Sequence, residues 1–437
     1  MSIKTVKFGG SSLADAAQFE KVKNIILKDK ERRYVVPSAP GKRSSADTKV
    51  TDMLYSCYEN AAKGENIDEL FSLIKKRYTD IIAALGLDLS LDTEFEKIKN
   101  SFYIKAGRDY AASRGEYLNG IILAKYIGFE FIDAADVIFF KADGSFDEKR
   151  THDVLSEILK IKSNAVIPGF YGSMPNDTIK TFSRGGSDIT GSIVACASRS
   201  DIYENWTDVS GFLMADPRIV DAPSPIRYIS YRELRELSYM GATVLHEDAV
   251  FPVRKAKIPI NVRNTNAPED PGTMIVANVP ESVFTSNITG IAGKKGFSVI
   301  TIEKDMMNQE MGFGKRVLLA LEKNGVSFEH LPSGIDTMGV VVSSASIENK
   351  IDDIENDIRE LVNPDQITVE HDIALIAVVG RGMIRTKGTA KKIFDALFDA
   401  DVNVKMIDQG SSELNIIVGV CENDFEKSVR AIYKAFN

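Results

Sequence analysis

Cysteine and histidine are scarce in this chain. The three cysteines, Cys57, Cys196 and Cys421, lie far apart with no CxxC or Cys/His spacing. That argues against a disulfide framework or a structural zinc site. The four histidines, His152, His246, His330 and His371, show no metal spacing either, so no metal-ligand motif is expected. Long apolar runs are also missing. No stretch approaches about 18 uncharged apolar residues, and the first residues form no apolar leader, so no membrane partner and a cytoplasmic, reducing location are expected. No long Lys/Arg block occurs and the net charge is −8, which argues against nucleic acid as a partner. An acidic chain that binds anions must do so with local charge.

What is present is ordinary globular text: 437 residues, 44% hydrophobic and 27% charged, too long for one core. Short β-prone runs at Val6–Phe8 and Arg33–Ser38 flank an amphipathic helix over about 16–30. The polar stretch 41–49, GKRSSADTK, has a mobile-loop composition, and helical periodicity then dominates from Thr51 to about Tyr126. Residues 129–139, FEFIDAADVIF, and 163–170, SNAVIPGF, return to strand text, the second an almost continuous apolar run as in a strand buried on both faces. Strands alternating with helices predict an α/β domain with a largely parallel sheet. The text changes near 264–273, NTNAPEDPGT. Beyond it two units of roughly 70 residues each read β-α-β-β with a second helix, the ferredoxin-like βαββαβ plan, and an internal duplication is the simplest account.

Four stretches could carry chemistry. KTVKFGGSS (4–12) ends a strand with Lys7, then Gly9, Gly10 and Ser11; its backbone N–H groups could cradle a phosphate beside a point charge. It matches neither GxxxxGK[ST] nor GxGxxG, and a plain strand-to-helix turn fits it equally well. TFSRGGSDITGSIVA (181–195) places Arg184 and a double glycine before an apolar helix that Ser187 or Asp188 could cap, a second candidate anion site with Arg184 suited to grip a carboxylate. WTDVSGFLMADPRIV (206–220) sets Asp208 and Asp216–Arg218 in turns after a strand, as Asx turns or as groups that organise a nucleotide and Mg²⁺. In SRGEYLNG (113–120), Glu116 follows Gly115 within helical text, and Gly115 lets another segment or a ligand approach.

In order and spacing, KFGGSS, SRGE, SRGGSD, TDVSGFLMADPR and VLHEDAV resemble the aspartate kinases of the amino-acid kinase family, and DQGSSELNIIV (408–418) resembles their paired ACT regulatory domains. The resemblance spans essentially the whole chain. It implies an αβα sandwich kinase domain over 1–282 and two ACT domains over 283–363 and 364–437, with no appended dehydrogenase domain. It also implies transfer of the ATP γ-phosphoryl group to the side-chain carboxylate of L-aspartate, with Mg²⁺, as the first step towards lysine, threonine and methionine. Carried over by position, Lys7 matches the phosphate-binding lysine, and Gly9, Gly10 and Ser11 its backbone cradle. Glu116 and Asp188 match carboxylates that receive the aspartate ammonium, and Arg184 the grip on its α-carboxylate. Ser38, Thr51 and Ser187 match substrate-side positions. Thr207, Asp208, Asp216 and Arg218 match the nucleotide loop, with Lys255 or Lys257 reaching the phosphates. Feedback inhibition is implied, lysine first and threonine second, with the effector against Met307, Met311, Gly312, Phe313, Ser327 and Glu329. The ACT pair implies self-association, as a dimer or tetramer. The 37–49 loop departs from the family pattern in its prolines and extra polar residues. A sister kinase acting on another acceptor is the nearest rival, and a non-catalytic ACT amino-acid sensor the next.

Overall fold

The computed structural model describes residues 2–183, 185–242, 245, 247–280 and 287–437. The chain forms two compact units, one of Met1–Phe212, Pro225–Tyr231 and Val244–Val279, the other of Leu213–Ser224, Arg232–Thr243 and Pro280–Asn437. The boundary expected at 282/283 lies outside the described residues. Among these, no helix is long and apolar enough to cross a membrane.

The first unit runs β1 (Lys4–Phe8), α1 (Ala16–Lys28), β2 (Arg32–Pro37), α2 (Val50–Ala62), α3 (Asp68–Ala84), α4 (Asp92–Tyr103), α5 (Arg108–Ile127), β3 (Glu130–Phe131), α6 (Ala134–Val137) and α7 (Glu148–Ile161). It continues through β4 (Ala165–Val166), β5 (Tyr171–Ser173), β6 (Ile179–Thr181), α8 (Gly186–Ala197), β7 (Ile202–Thr207) and β8 (Tyr228–Ser230). Helix α9 (Tyr231–Tyr239) leads into the second unit, and α10 (Glu247–Ala256), β9 (Ile260–Asn264) and β10 (Thr273–Val276) complete the first. Eight strands form one sheet in the order β3-β4-β2-β1-β7-β9-β10-β8, parallel except between β9 and β10.

Strand alternation assigns the faces. Val6, Phe8, Val35 and Trp206 join a core with α1 to α5, while Tyr34 and Val36 join another with α6 to α8. Both faces are covered by helices, so the sheet is the middle layer of an αβα sandwich. The odd-numbered β1 and β7 residues, among them Lys7 and Asn205, are thereby turned towards α8.

Two strand expectations shorten. In 129–139 only Glu130–Phe131 is strand, because Asp133 caps α6 by accepting from the Ala135 N–H at 3.0 Å. In 163–170 the ladder is Ala165–Val166; the run is buried as expected, but Pro168 ends regular pairing. The segment 41–49 is loop, as expected, and carries an ion-pair network. Asp47 binds Arg43 and Arg77, which hold its carboxyl well below the usual carboxylate range, and Arg77 donates to Gly41 O at 2.5 Å.

The second unit runs β11 (Gly290–Glu303), α11 (Phe313–Lys323), β12 (Phe328–His330), β13 (Thr337–Ser343), α12 (Ser344–Ile347), α13 (Ile351–Val362), β14 (Gln366–Val379), α14 (Thr389–Asp399), β15 (Val404–Asp408), β16 (Asn415–Cys421) and α15 (Phe425–Phe436). Its six strands form one antiparallel sheet, β12-β13-β11-β14-β16-β15. Two ferredoxin-like lobes share it, interleaved. Phe297–Glu303 of β11 pairs with β13 and the start of β14, closing the first lobe; Gly290–Lys294 pairs with Leu375–Val379, filling the fourth-strand position of the second. The registers shift beside two residues at positive φ, Gly296 (+90°) and Asp372 (+59°). Segments 213–224 and 232–243 pack on this unit: Ile291 N–H donates to Met214 O at 2.7 Å, and Glu233 accepts from Thr289 Oγ1 at 2.5 Å.

A buried ion pair ties the first unit together beneath its sheet. Arg32 donates to Glu204 from Nε at 2.8 Å and Nη2 at 3.2 Å, and Trp206 Nε1 donates to the same carboxylate at 2.8 Å. Without Arg32, Glu204 keeps only the Trp206 N–H and Arg263, whose Nη1 lies 3.9 Å from Oε1. Arg32→Met should destabilise the unit by about 1–3 kcal/mol, and Arg32→Met/Glu204→Leu should recover part of the loss. Urea unfolding followed by fluorescence of Trp206, the one tryptophan in the chain, reads this unit; an unchanged midpoint for Arg32→Met would refute the pair's importance.

Candidate active site

The opening glycine turn is built by close backbone packing. After β1, Gly9 stays extended and donates its N–H to Trp206 O at 3.0 Å, and Gly10–Leu13 forms a 3₁₀ turn. Gly41, from the loop after β2, donates to Gly10 O at 2.8 Å. A Cβ on Gly41 would lie 2.5 Å from Gly10 C, and one on Gly10 2.9 Å from Ala39 O, so neither position has room for a side chain. Lys7 Nζ stands 3.6 Å from where a Gly9 Cβ would sit, which places the ammonium over the turn. Ser12 is buried and shares a 2.7 Å hydrogen bond with Thr265, anchoring the turn to the strand end beyond β9.

Lys7 is only 7% exposed. Its Nζ lies 2.5 Å from Asp188 Oδ1 and donates to Asn205 Oδ1 at 3.4 Å, while Asn205 Nδ2 donates to Asp188 Oδ1 at 2.8 Å. Helix α8 reaches this position because Gly191 leaves space for Tyr203, whose hydroxyl would be 2.4 Å from a Cβ there; that hydroxyl donates to Asp188 O at 3.1 Å. The expected cap is different. Gly185, at φ +58°, occupies the N-cap of α8 with no side-chain cap hydrogen bond, because the Asp188 carboxylate is turned to Lys7 and Asn205. Ser187 is buried against Gly169. Arg184 lies outside the described residues.

On the other side of the turn, Gly115 packs α5 against the loop after β2: a Cβ there would be 2.9 Å from Ala39 Cβ. Glu116 is thereby buried, and its Oε2 has no hydrogen-bond partner among the described residues. Burial pushes its carboxyl up to about 8, against a partial offset from the Ala39 backbone N–H. Ser38 N–H donates to Phe8 O at 3.0 Å, and Ser38 O accepts from Asn119 Nδ2 at 2.6 Å. Lys7 thus stands near the end of β1, Ser38 just beyond β2, Asp188 in the first turn of α8, Glu116 midway along α5 and Thr51 in the first turn of α2.

The nucleotide-loop residues separate. Thr207 ends β7, and its hydroxyl donates to Asp208 at 3.2 Å. Asp216 and Arg218 belong to the second unit, where they form a forked pair with Nη2 2.6 Å from Oδ2. Lys255 is exposed and pairs with Glu148 at 2.9 Å; Lys257, at φ +58° past the end of α10, pairs with no acidic side chain among the described residues. Of the effector positions, Met307 and Phe313 are buried in the first lobe's core, whereas Met311, Gly312 and Ser327 are exposed, and Glu329 accepts from the Tyr239 hydroxyl. Tyr203 and Asn205 were not legible as site residues. Their one signal is alternation within YENWT, which turns both to the Lys7 face.

Comparison with known proteins identifies the family. The amino acid kinase family model matches residues 3–264, and an ACT domain model matches 376–436. Aspartokinase 3 of Bacillus subtilis is 37% identical over 99% of this chain and 98% of its own. The crystal structure of Clostridium acetobutylicum aspartate kinase is 54% identical, with a TM-score of 0.91 over the whole of both chains. Escherichia coli aspartokinase III, in complex with aspartate and ADP, shares the fold at a TM-score of 0.73 and 24% identity over 99% of each chain. The chain therefore belongs to the amino acid kinase family as one of its aspartokinases, ATP-dependent kinases joined here to ferredoxin-like ACT regulatory lobes.

Proposed function

We propose that this aspartokinase transfers the γ-phosphoryl group of ATP to the side-chain carboxylate of L-aspartate, giving 4-phospho-L-aspartate, in the site that gathers Lys7, Asp188 and Glu116. The observation that carries the reading is the buried Lys7 ammonium held over a turn of two glycines. The attacking carboxylate has an ordinary pKa near 4, so it is ionised at neutral pH and needs no general base. The difficulty is bringing that anion to a triphosphate, which makes positioning and charge neutralisation the main catalytic tasks. Lys7 and the N–H groups of Gly10 and Ser11 take the phosphates, the Gly9 N–H being committed to Trp206 O, with Lys255 or Lys257 beyond. Thr207 and Asp208 take the nucleotide, joined by Asp216 and Arg218. Asp208, an exposed hard oxygen donor at a strand end, suits Mg²⁺, whose other ligands would be phosphate oxygens and water. Bound Mg²⁺ would neutralise charge on the phosphates. Arg184 grips the aspartate α-carboxylate, Glu116 and Asp188 receive its ammonium, and Ser38, Thr51 and Ser187 line the substrate side. The catalytic segment is read as 1–282, with effector segments 283–363 and 364–437, acting in the cytoplasm at the first step towards lysine, threonine and methionine.

ADP release should require aspartate and not proceed with glutamate or without an acceptor. Lys7→Ala should lower kcat about 10²–10³-fold with a much smaller change in aspartate KM, because Lys7 acts on charge that develops at the phosphoryl group. Near-normal kcat would remove Lys7 from the chemistry. Acceptor-independent turnover would favour another reaction, and no turnover at all the amino-acid sensor.

Glu116 supplies a pH test. With its carboxyl raised to about 8, it is protonated in the unliganded protein at pH 7. An arriving ammonium beside the unpartnered Oε2 favours the ionised form, so aspartate binding at pH 7 should release up to one proton. Calorimetry in buffers of different ionisation enthalpy measures it. Glu116→Gln should abolish the release; identical binding heats in all buffers for the wild type would refute the assignment.

The ACT lobes support amino-acid feedback and self-association, as a dimer or tetramer. Lysine is the proposed effector, at Met311–Phe313 and Ser327–Glu329 beside Met307, with Glu329 meeting its side-chain ammonium and threonine as second choice. A ligand that prefers a low-affinity state must raise aspartate KM or lower kcat. Millimolar lysine should therefore inhibit, and Glu329→Gln should weaken that inhibition without altering the uninhibited rate. Activity indifferent to lysine, threonine and both together would defeat the regulatory reading.

A further inference from the structure

We propose that Asn205 is a positioning residue of this kinase, a neutral bridge that holds the Asp188 carboxylate and the Lys7 ammonium in fixed register without adding charge to a site that must receive a triphosphate. The inference rests on the proposed roles of Lys7 and Asp188. It goes beyond them by assigning work to a residue three positions before Asp208, inside strand β7.

Register places it. Lys7 of β1 and Asn205 of β7 are Cα partners in a parallel ladder, so their side chains leave the sheet side by side on the α8 face. Asn205 is 3% exposed. Its two hydrogen bonds are chemically ordered. Lys7 can only donate and the ionised Asp188 can only accept, so the amide must present Oδ1 to Lys7 and Nδ2 to Asp188. The reverse orientation would set donor against donor and acceptor against acceptor. Asp188 Oδ1 thus receives both the ammonium at 2.5 Å and the amide at 2.8 Å. Without the amide, Lys7 alone would hold this carboxylate to the sheet, and the ammonium would follow it away from the glycine turn.

Neutrality matters as much as hydrogen bonding. A carboxylate at 205 would surround one ammonium with two anions, leaving the site net negative towards the phosphates. An isosteric apolar side chain would keep the charge balance and lose both hydrogen bonds. The two substitutions therefore separate effects that a merely structural asparagine would not separate.

The test is steady-state kinetics of full-length Asn205→Asp, Asn205→Leu, Asp188→Asn and the exchange variant Asp188→Asn/Asn205→Asp, with Trp206 fluorescence and urea midpoints to establish folding. Asn205→Asp should raise ATP KM at least tenfold. Asn205→Leu should lower kcat about tenfold with ATP KM within threefold. The exchange variant restores one carboxylate and one amide around Lys7, so its kcat should exceed the product of the single effects by about tenfold. Wild-type kcat and ATP KM in both Asn205 variants, or an exchange variant that merely multiplies the single losses, would overturn the proposal. If one Asn205 variant does not fold, the other substitution and the exchange pair decide the matter by the same criteria. Wild-type protein that releases no aspartate-dependent ADP would instead sink the parent reading of the site.

Discussion

A lysine ammonium buried at the end of the central parallel strand dictates much of what surrounds it. A charge so placed is costly unless paired and hydrogen-bonded, and Lys7 is both, through Asp188 and Asn205. Satisfying it requires α8 to approach β7 closely, which Gly191 permits against Tyr203. The same alternation that turns Lys7 towards α8 turns Val6, Phe8 and Trp206 into the opposite core, so the site and the hydrophobic layer are two faces of the same strands.

Glu116 follows the opposite logic. It is buried with one oxygen unpartnered, and its carboxyl rises to about 8 in consequence. A polar group left unsatisfied at such depth is destabilising by itself. One of these two carboxylates is thus paired within the protein while the other has an oxygen left open.

The regulatory part is not two beads on a string. β11 and β14 each serve both ferredoxin-like lobes, and the changeovers fall beside Gly296 and Asp372, where positive φ lets the register shift. Two segments from the middle of the chain, 213–224 and 232–243, pack with these lobes as well. Asp216 and Arg218 therefore belong to the same compact unit as Glu329, and Tyr239, which donates to Glu329, ends the helix that begins at Tyr231 in the other unit.

Periodicity by itself determined the helices of 51–126, the parallel α/β class and the repeated β-α-β-β plan, because each depends on local spacing of apolar residues. The motifs determined the family and drew attention to Lys7, Asp188 and Glu116, because glycine turns and isolated charges leave marks in short windows. Tertiary structure decided the rest. Asp133 became a helix cap inside strand-like text, and Gly185 displaced Ser187 and Asp188 as the cap of α8, since a carboxylate goes to the partner that most lowers its energy. Asp47 pairs with Arg77, a residue of α3 30 positions away, a contact that no short window shows. Asn205 was invisible for the same reason: an asparagine in a strand acquires meaning only when register sets it beside Lys7 and packing brings Asp188 to meet it.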